Sequence, residues 1–280
     1  MTLARVALGL LALQAIALGH VTRVVVESRA PLAASGRHVK ITGRFYGELD
    51  PKAPQNAIIN DIQLAPRNAH GRVEYSATFT LILPSAPAAI SGVLLYEVPN
   101  RGNSPLNARL SADDLAAGHV LLSSGWQGDL AERTGMETIR VPVARNPDGS
   151  SITGPVLARL MNLPAGANTA PLTTGYGALL YQHPASMDTG SALLTRQASE
   201  DGQLIPIPNA DWAFADCSQV PFPGRPDPSS ICLKGGFQPD QLYRVVYTAK
   251  DPLVLGIGLA ATRDIVSFFR YEQRDGAGES

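Results

Sequence analysis

The 280-residue sequence is poor in cysteine (two), methionine (four), tryptophan (two) and histidine (five), and only 17% of its residues are charged. Two cysteines exclude a disulfide-dense miniprotein, and neither CxxC nor HExxH occurs, which removes the commonest zinc arrangements. His20, His38, His70, His119 and His183 include no i, i+4 pair, and none adjoins a carboxylate cluster. No metal and no cofactor is therefore expected. His119 is expected to begin a strand and His183 to lie on a turn. The formal net charge is −1 with no basic cluster, so a nucleic-acid partner held by phosphate neutralisation is excluded. The G-x-S-x-G turn that exposes a serine nucleophile between strand and helix is missing too. Gly102-Asn103-Ser104 is followed by Pro105 and Leu106, and Gly278-Glu279-Ser280 follows polar residues rather than a strand. No catalytic residue is assigned.

Long apolar runs are scarce, but one is informative. Residues 6–19 are apolar but for Gln14, Arg5 precedes them, and Ala15, Ala17 and Gly19 supply small residues of a cleavage site. This pattern predicts a signal peptide over 1–19 and a secreted or periplasmic protein. In an oxidising compartment Cys217 and Cys232 are expected to pair, closing a loop at a gain of about 3 kcal/mol.

Glycine (26) and proline (22) exceed their average share, and 45% of residues are hydrophobic, so a folded, turn-rich chain is expected. Residues 20–130 open with β-like runs at 21–28, 38–49, 57–65 and 73–83, the last two flanking an NAHG turn that predicts a hairpin. Residues 92–98 form an apolar strand, 111–118 a short capped helix, and 119–124 a second strand. This order predicts a parallel pair with a crossover helix, hence an α/β fold. Residues 131–248 return to short β-like runs (138–144, 155–161, 177–182, 242–248) and are expected to form an inserted β-rich lobe. Residues 249–272 carry the clearest helix, with Asp251 as its cap and Pro252 at its first position. Residues 273–280 are a polar tail.

Two glycine-containing loops follow the two parallel strands, VPNRGN at 98–103 and SGWQGD at 124–129. Ligand sites of parallel sheets gather at the carboxyl ends of strands, where backbone N–H groups can face an anion. Asn100, Arg101, Gly102, Gly125, Trp126 and Gln127 are therefore the candidate oxyanion or substrate-loop residues. The alternative is two ordinary turns around a packed Trp126.

The blocks GRFYGELDP, NAIINDIQLAPRNAHGRVEYSATF, VLLYEVPNRG, SGWQGDL and ICLKGGF, with LYRVVYTAKDPLVLGIGLAATRDIVSFFRY, resemble the N-terminal half of large exported α/β-hydrolase-domain proteins of the serine esterase type. The resemblance covers most of 40–272. It implies an incomplete α/β-hydrolase sheet with a β-rich N-terminal part and a β-rich insertion. In that family the helix at 252–271 precedes the nucleophile strand, and 100–102 takes the place of the oxyanion loop. The nucleophile, acid and histidine would all follow position 280. The chain is then expected to be inactive alone and to act on a small-molecule ester once a C-terminal half completes it. The open edge of the strand at Val93 would invite a complementing chain or self-association. Two other readings fit the sequence. One is a non-catalytic exported binding protein using the β-rich lobe and the glycine loops. The other is a complete enzyme with Ser104 or Ser124 as an atypical nucleophile.

Overall fold

The computed structural model describes residues 20–104, 106, 110–172, 182–272 and 274. The expected signal peptide at 1–19, most of the β-like run at 177–182 and nearly all of the polar tail lie outside them.

Alternating Val, Ile and aromatic residues build the first lobe. Strands β1 (His20–Leu32) and β2 (Ser35–Leu49) form a long antiparallel hairpin, and β3 (Val73–Pro84) pairs with β2 from His38↔Pro84 to Leu49↔Val73. Strands β4 (Leu94–Glu97) and β5 (Val120–Ser124) are parallel. Helix α1 (Ala112–Ala116) precedes β5, with the Ser111 side chain accepting the Asp114 N–H as N-cap. The sheet order is β1-β2-β3-β5-β4, and the short strand β6 (Ile139–Arg140) pairs with β3. One face of the sheet is covered by helix α2 (Ile257–Tyr271), whose Ile257, Ala261 and Ile265 are buried against Phe45, Tyr75 and Leu122. The other face packs Leu121 and Ile82 against Leu106, with Leu110 and Leu115 at the margin.

The second lobe holds two further sheets. One has the order β10 (Ile205–Ile207), β9 (Leu193–Gln197), β13 (Leu242–Lys250), β7 (Thr153–Leu160). The other has the order β11 (Trp212–Asp216), β12 (Arg225–Leu233), β8 (Thr169–Pro171). Both are antiparallel. Their core is aromatic: Trp212–Phe214, Phe214–Tyr247 and Phe237–Tyr243 all meet edge to face. Cys217 and Cys232 form the expected disulfide, with Cα atoms 5.5 Å apart.

This architecture overturns the α/β expectation. Among the described residues there are thirteen strands and two α-helices, arranged in antiparallel or mixed sheets, with β4–β5 the sole parallel pair. The strand–helix–strand unit exists, but a single crossover does not make an α/β fold. The hundred or so residues after it return as hairpins rather than as further βα units. No hydrolase sheet, complete or incomplete, is therefore assigned.

Three local corrections have clear causes. Residues 57–65 form turns and a short 3-10 helix (Ile62–Leu64) rather than a strand, because Ile59 and Ile62 reach the core from one side of a compact turn. The NAHG turn does form, with Asn68 Oδ1 accepting the His70 and Arg72 N–H groups, but it leads into β3 rather than closing a hairpin. Helix α2 starts at Ile257, five residues after Pro252. Asp251 has φ +61 and its carboxylate pairs with Arg145, while Pro252 O accepts the Ala144 N–H. Bridging to 143–144 holds that segment extended.

Candidate functional site

The loops after β4 and β5 meet beyond the carboxyl ends of the parallel pair. Asn100 and Asn103 exchange backbone hydrogen bonds (3.2 and 3.0 Å), with Arg101 at φ +49 and Gly102 at φ +77 between them. Positive φ at both central positions defines a tight mirror-image turn. Gly102 is required here, because a Cβ would also lie 2.9 Å from Met136 Cε and 3.0 Å from Glu137 O. The second loop locks onto the first. Trp126 Nε1–H donates to Pro99 O at 2.8 Å, and Gln127 Oε1 accepts the Arg101 N–H at 2.6 Å.

The structure thus brings Asn100, Arg101, Gly102, Trp126 and Gln127 together, with Gly125 at the base. The glycines of the second loop serve close packing. A Cβ at Gly125 would lie 2.1 Å from Thr138 O, and one at Gly258 would lie 1.7 Å from Trp126 O. The first turn of α2 therefore presses directly on the loop backbone.

Sequence reasoning missed the polar layer beneath. Glu137 is 4% exposed, and its two carboxylate oxygens accept the Thr78 and Thr80 hydroxyls, each at 2.6 Å. Its own N–H donates to Gly102 O at 2.7 Å, so it tethers the turn. Burial pushes its carboxyl above the usual range, and the two threonine hydrogen bonds oppose this. The Thr78-x-Thr80 alternation on β3 was the available signal for a buried acceptor. Ser123, opposite Thr80, is fully buried, and its Oγ has no partner among the described residues. On the helix side, Tyr96 OH lies 2.8 Å from Ser124 Oγ and 3.4 Å from Thr262 Oγ1, and burial raises the phenol.

Chemically the site offers the Arg101 N–H, which the internal acceptor Gln127 Oε1 occupies. It holds no nucleophile–base pair. Ser124 is fully buried and bonded to Tyr96, and Ser104 is 5% exposed with an unpartnered Oγ. His119 sits just before β5, at the opposite end of the strand from the loops, and pairs with Ser91 Oγ at 2.8 Å. His183 lends its backbone carbonyl to the Lys250 N–H. The atypical-nucleophile reading therefore finds no base among the described residues. Those residues also bring no three His, Cys, Asp or Glu side chains together as a metal set.

Strand β4 ends the sheet, with β5 its one neighbour among the described residues. Val93 and Val98, flanking β4, are 42% and 59% exposed. No family model, curated protein or solved structure matches the chain. The disulfide is compatible with a secreted or periplasmic protein, and no described helix is long and apolar enough to cross a membrane.

Proposed function

We propose that the chain is the amino-terminal portion of an exported serine hydrolase of esterase type, contributing the oxyanion side of the site and inactive by itself. The observation that carries this reading is the turn 100–103, held by Gln127, Trp126 and Glu137 beyond the ends of two parallel strands. An oxyanion hole needs rigid N–H donors facing one point, and side-chain clamps of this kind fix backbone donors in place. Gln127 Oε1 stands 2.6 Å from the Arg101 nitrogen, which is the distance an acyl oxyanion would take up. A substrate oxygen would displace it. The reading rests on the loop pair and not on the fold class that the structure overturned.

The nucleophile is supplied from outside this chain. The substrate is a small-molecule ester. Export proceeds through the signal peptide at 1–19. A non-catalytic binding protein is the second reading, favoured by a cleft in each lobe.

The test begins with the DNA beyond the Ser280 codon, read in all frames. A continuation encoding an apolar strand and then G-x-S-x-G supports the proposal. The joined product should then hydrolyse p-nitrophenyl esters, and Gly102→Ala should lower its kcat about a hundredfold, the scale of losing one oxyanion donor. The 280-residue chain should neither hydrolyse these esters nor react with a fluorophosphonate probe. A downstream region without the motif, or labelling of this chain alone, would overturn the reading.

A further inference from the structure

The turn after β12, with Lys234, Gly235 and Gly236, belongs to one of the sequence blocks that the ester-site reading leaves unused. Gly235 and Gly236 have φ of +81 and +82, and the turn is fixed by Gly236 N–H to Leu233 O (3.0 Å) and Phe237 N–H to Ala167 O (2.7 Å). It walls a cleft of about 340 Å³ against the edge strand β10, a volume that suits a small molecule.

The lining has a definite chemistry. Its charged groups are Arg196, Lys234 and Asp211. Lys234 Nζ is shared with Asp211 Oδ1 at 3.4 Å, whereas Arg196 Nη1 donates to the neutral Gln238 Oε1 at 3.2 Å. One positive charge is therefore left over, on a planar guanidinium suited to two parallel hydrogen bonds with a carboxylate. Beside these polar groups the wall carries the apolar Ile207 and Ile205, the latter 44% exposed on β10, over the buried ring of Phe237. Phe237 is held edge to face on Tyr243 at 4.9 Å, and Tyr243 OH accepts the Gln238 N–H at 2.8 Å, so the wall is formed before any ligand arrives.

We propose that this cleft binds a small organic carboxylate with an apolar body, the carboxylate on Arg196 and the body against Ile205, Ile207 and Phe237. A dianion such as phosphate fits less well, since Asp211 already shares the second cation. The site is independent of the ester-hydrolase reading and would stand if that reading fell.

Calorimetric titration of the full chain at low salt with benzoate, hexanoate and inorganic phosphate tests it. Saturable one-site binding of a carboxylate is expected, at least about tenfold tighter than phosphate. Arg196→Gln should weaken carboxylate binding about tenfold or more with an unchanged melting temperature. Ile205→Asp, on an exposed edge strand where folding is not at stake, should abolish it. Absence of saturable carboxylate heat, phosphate binding as tight as carboxylate, or full affinity in either variant would overturn the assignment.

Discussion

The two lobes are stabilised in different ways. The first rests on one helix packed over a long meander through a mixed aliphatic and aromatic core, and both buried carboxyls of the described residues, Glu137 and Asp264, lie in it. Asp264 on α2 accepts the Tyr75 hydroxyl at 2.8 Å and the Arg263 Nε–H at 2.8 Å, and burial raises both its carboxyl and the tyrosine phenol. The second lobe encloses Trp212, Phe214, Tyr247, Phe237 and Tyr243 between its two antiparallel sheets and closes them with a disulfide. Buried ionisable groups make the first lobe sensitive to pH, and a covalent cross-link makes the second sensitive to reductant. Among the described residues both lobes have edge strands, β4 in the first and β10 in the second.

The largest expected effect breaks the helix–loop contact of the first lobe. In Gly258→Ala the new methyl meets Trp126 O at 1.7 Å, so α2 or the 124–129 loop must move. The loss should exceed about 3 kcal/mol, the range of severe core overpacking, and it should disorder the turn at 100–103 as well. Trp126 fluorescence in a Trp212→Phe background, with urea denaturation, reads both. A variant within about 1 kcal/mol of wild type would show that the loop is not clamped by the helix.

Reduction of Cys217–Cys232 comes next, at about 3 kcal/mol by the chain-entropy scale. In scanning calorimetry the transition of the second lobe should fall on adding reductant, while Tyr75–Asp264 packing persists. If both lobes lose stability equally, they fold as one unit and do not differ in their response to reductant.

The pH response of the first lobe is smaller. The folded pKa of Glu137 lies above its unfolded value, so the folded state holds the proton more tightly. Its contribution to stability is fully present below the unfolded value and is lost as pH rises through the folded one. Glu137→Gln removes that dependence. The variant should gain on wild type as pH rises above the ordinary glutamate range. A melting-temperature difference that stays flat with pH, or grows toward acid, would break this account of the buried carboxyl.

The same division marks what was legible beforehand. Strands β1, β2 and β3 announced themselves through alternating Val, Ile and aromatic residues, α1 through Ser111 and its early acids, and the disulfide through two cysteines in a turn-rich stretch. The six loop residues were singled out because each loop follows a strand, a local signal. The fold class was misread because it is decided elsewhere: β13 takes β7 and β9 as neighbours, and no short pattern specifies such a pairing. Glu137 was missed for a related reason: Thr78 and Thr80 hint at a buried acceptor, but the partner lies 57 positions from Thr80. Asp251 looked like a helix cap, but its left-handed backbone is imposed by contacts with Arg145 and Ile152.

The finest comparison is between two surface glutamates that each join two arginines. Glu132 meets Arg44 at 3.1 Å and Arg140 at 2.6 Å in the first lobe, while Glu200 meets Arg244 at 3.2 Å and also pairs with Arg159 in the second. Hydrogen bonding from Arg140, supported by the charge of Arg44, holds the Glu132 carboxyl below its ordinary range. Its stabilising share is therefore present above the unfolded value and lost as pH falls through the folded one. Solvent screens both clusters, so each is worth less than about 1 kcal/mol. They should still differ. The Glu132 side chain is 39% exposed and its Arg44 partner 15%, against 57% and 25% for Glu200 and Arg244. Glu132 also ties the segment before β6 to β2, across 88 positions of chain, where Glu200 spans 44 to Arg244. Glu132→Gln should thus lower the melting temperature more than Glu200→Gln, and both effects should shrink in 1 M salt. Equal shifts would mean that screening, rather than the elements joined, sets the value of a surface ion pair in this protein.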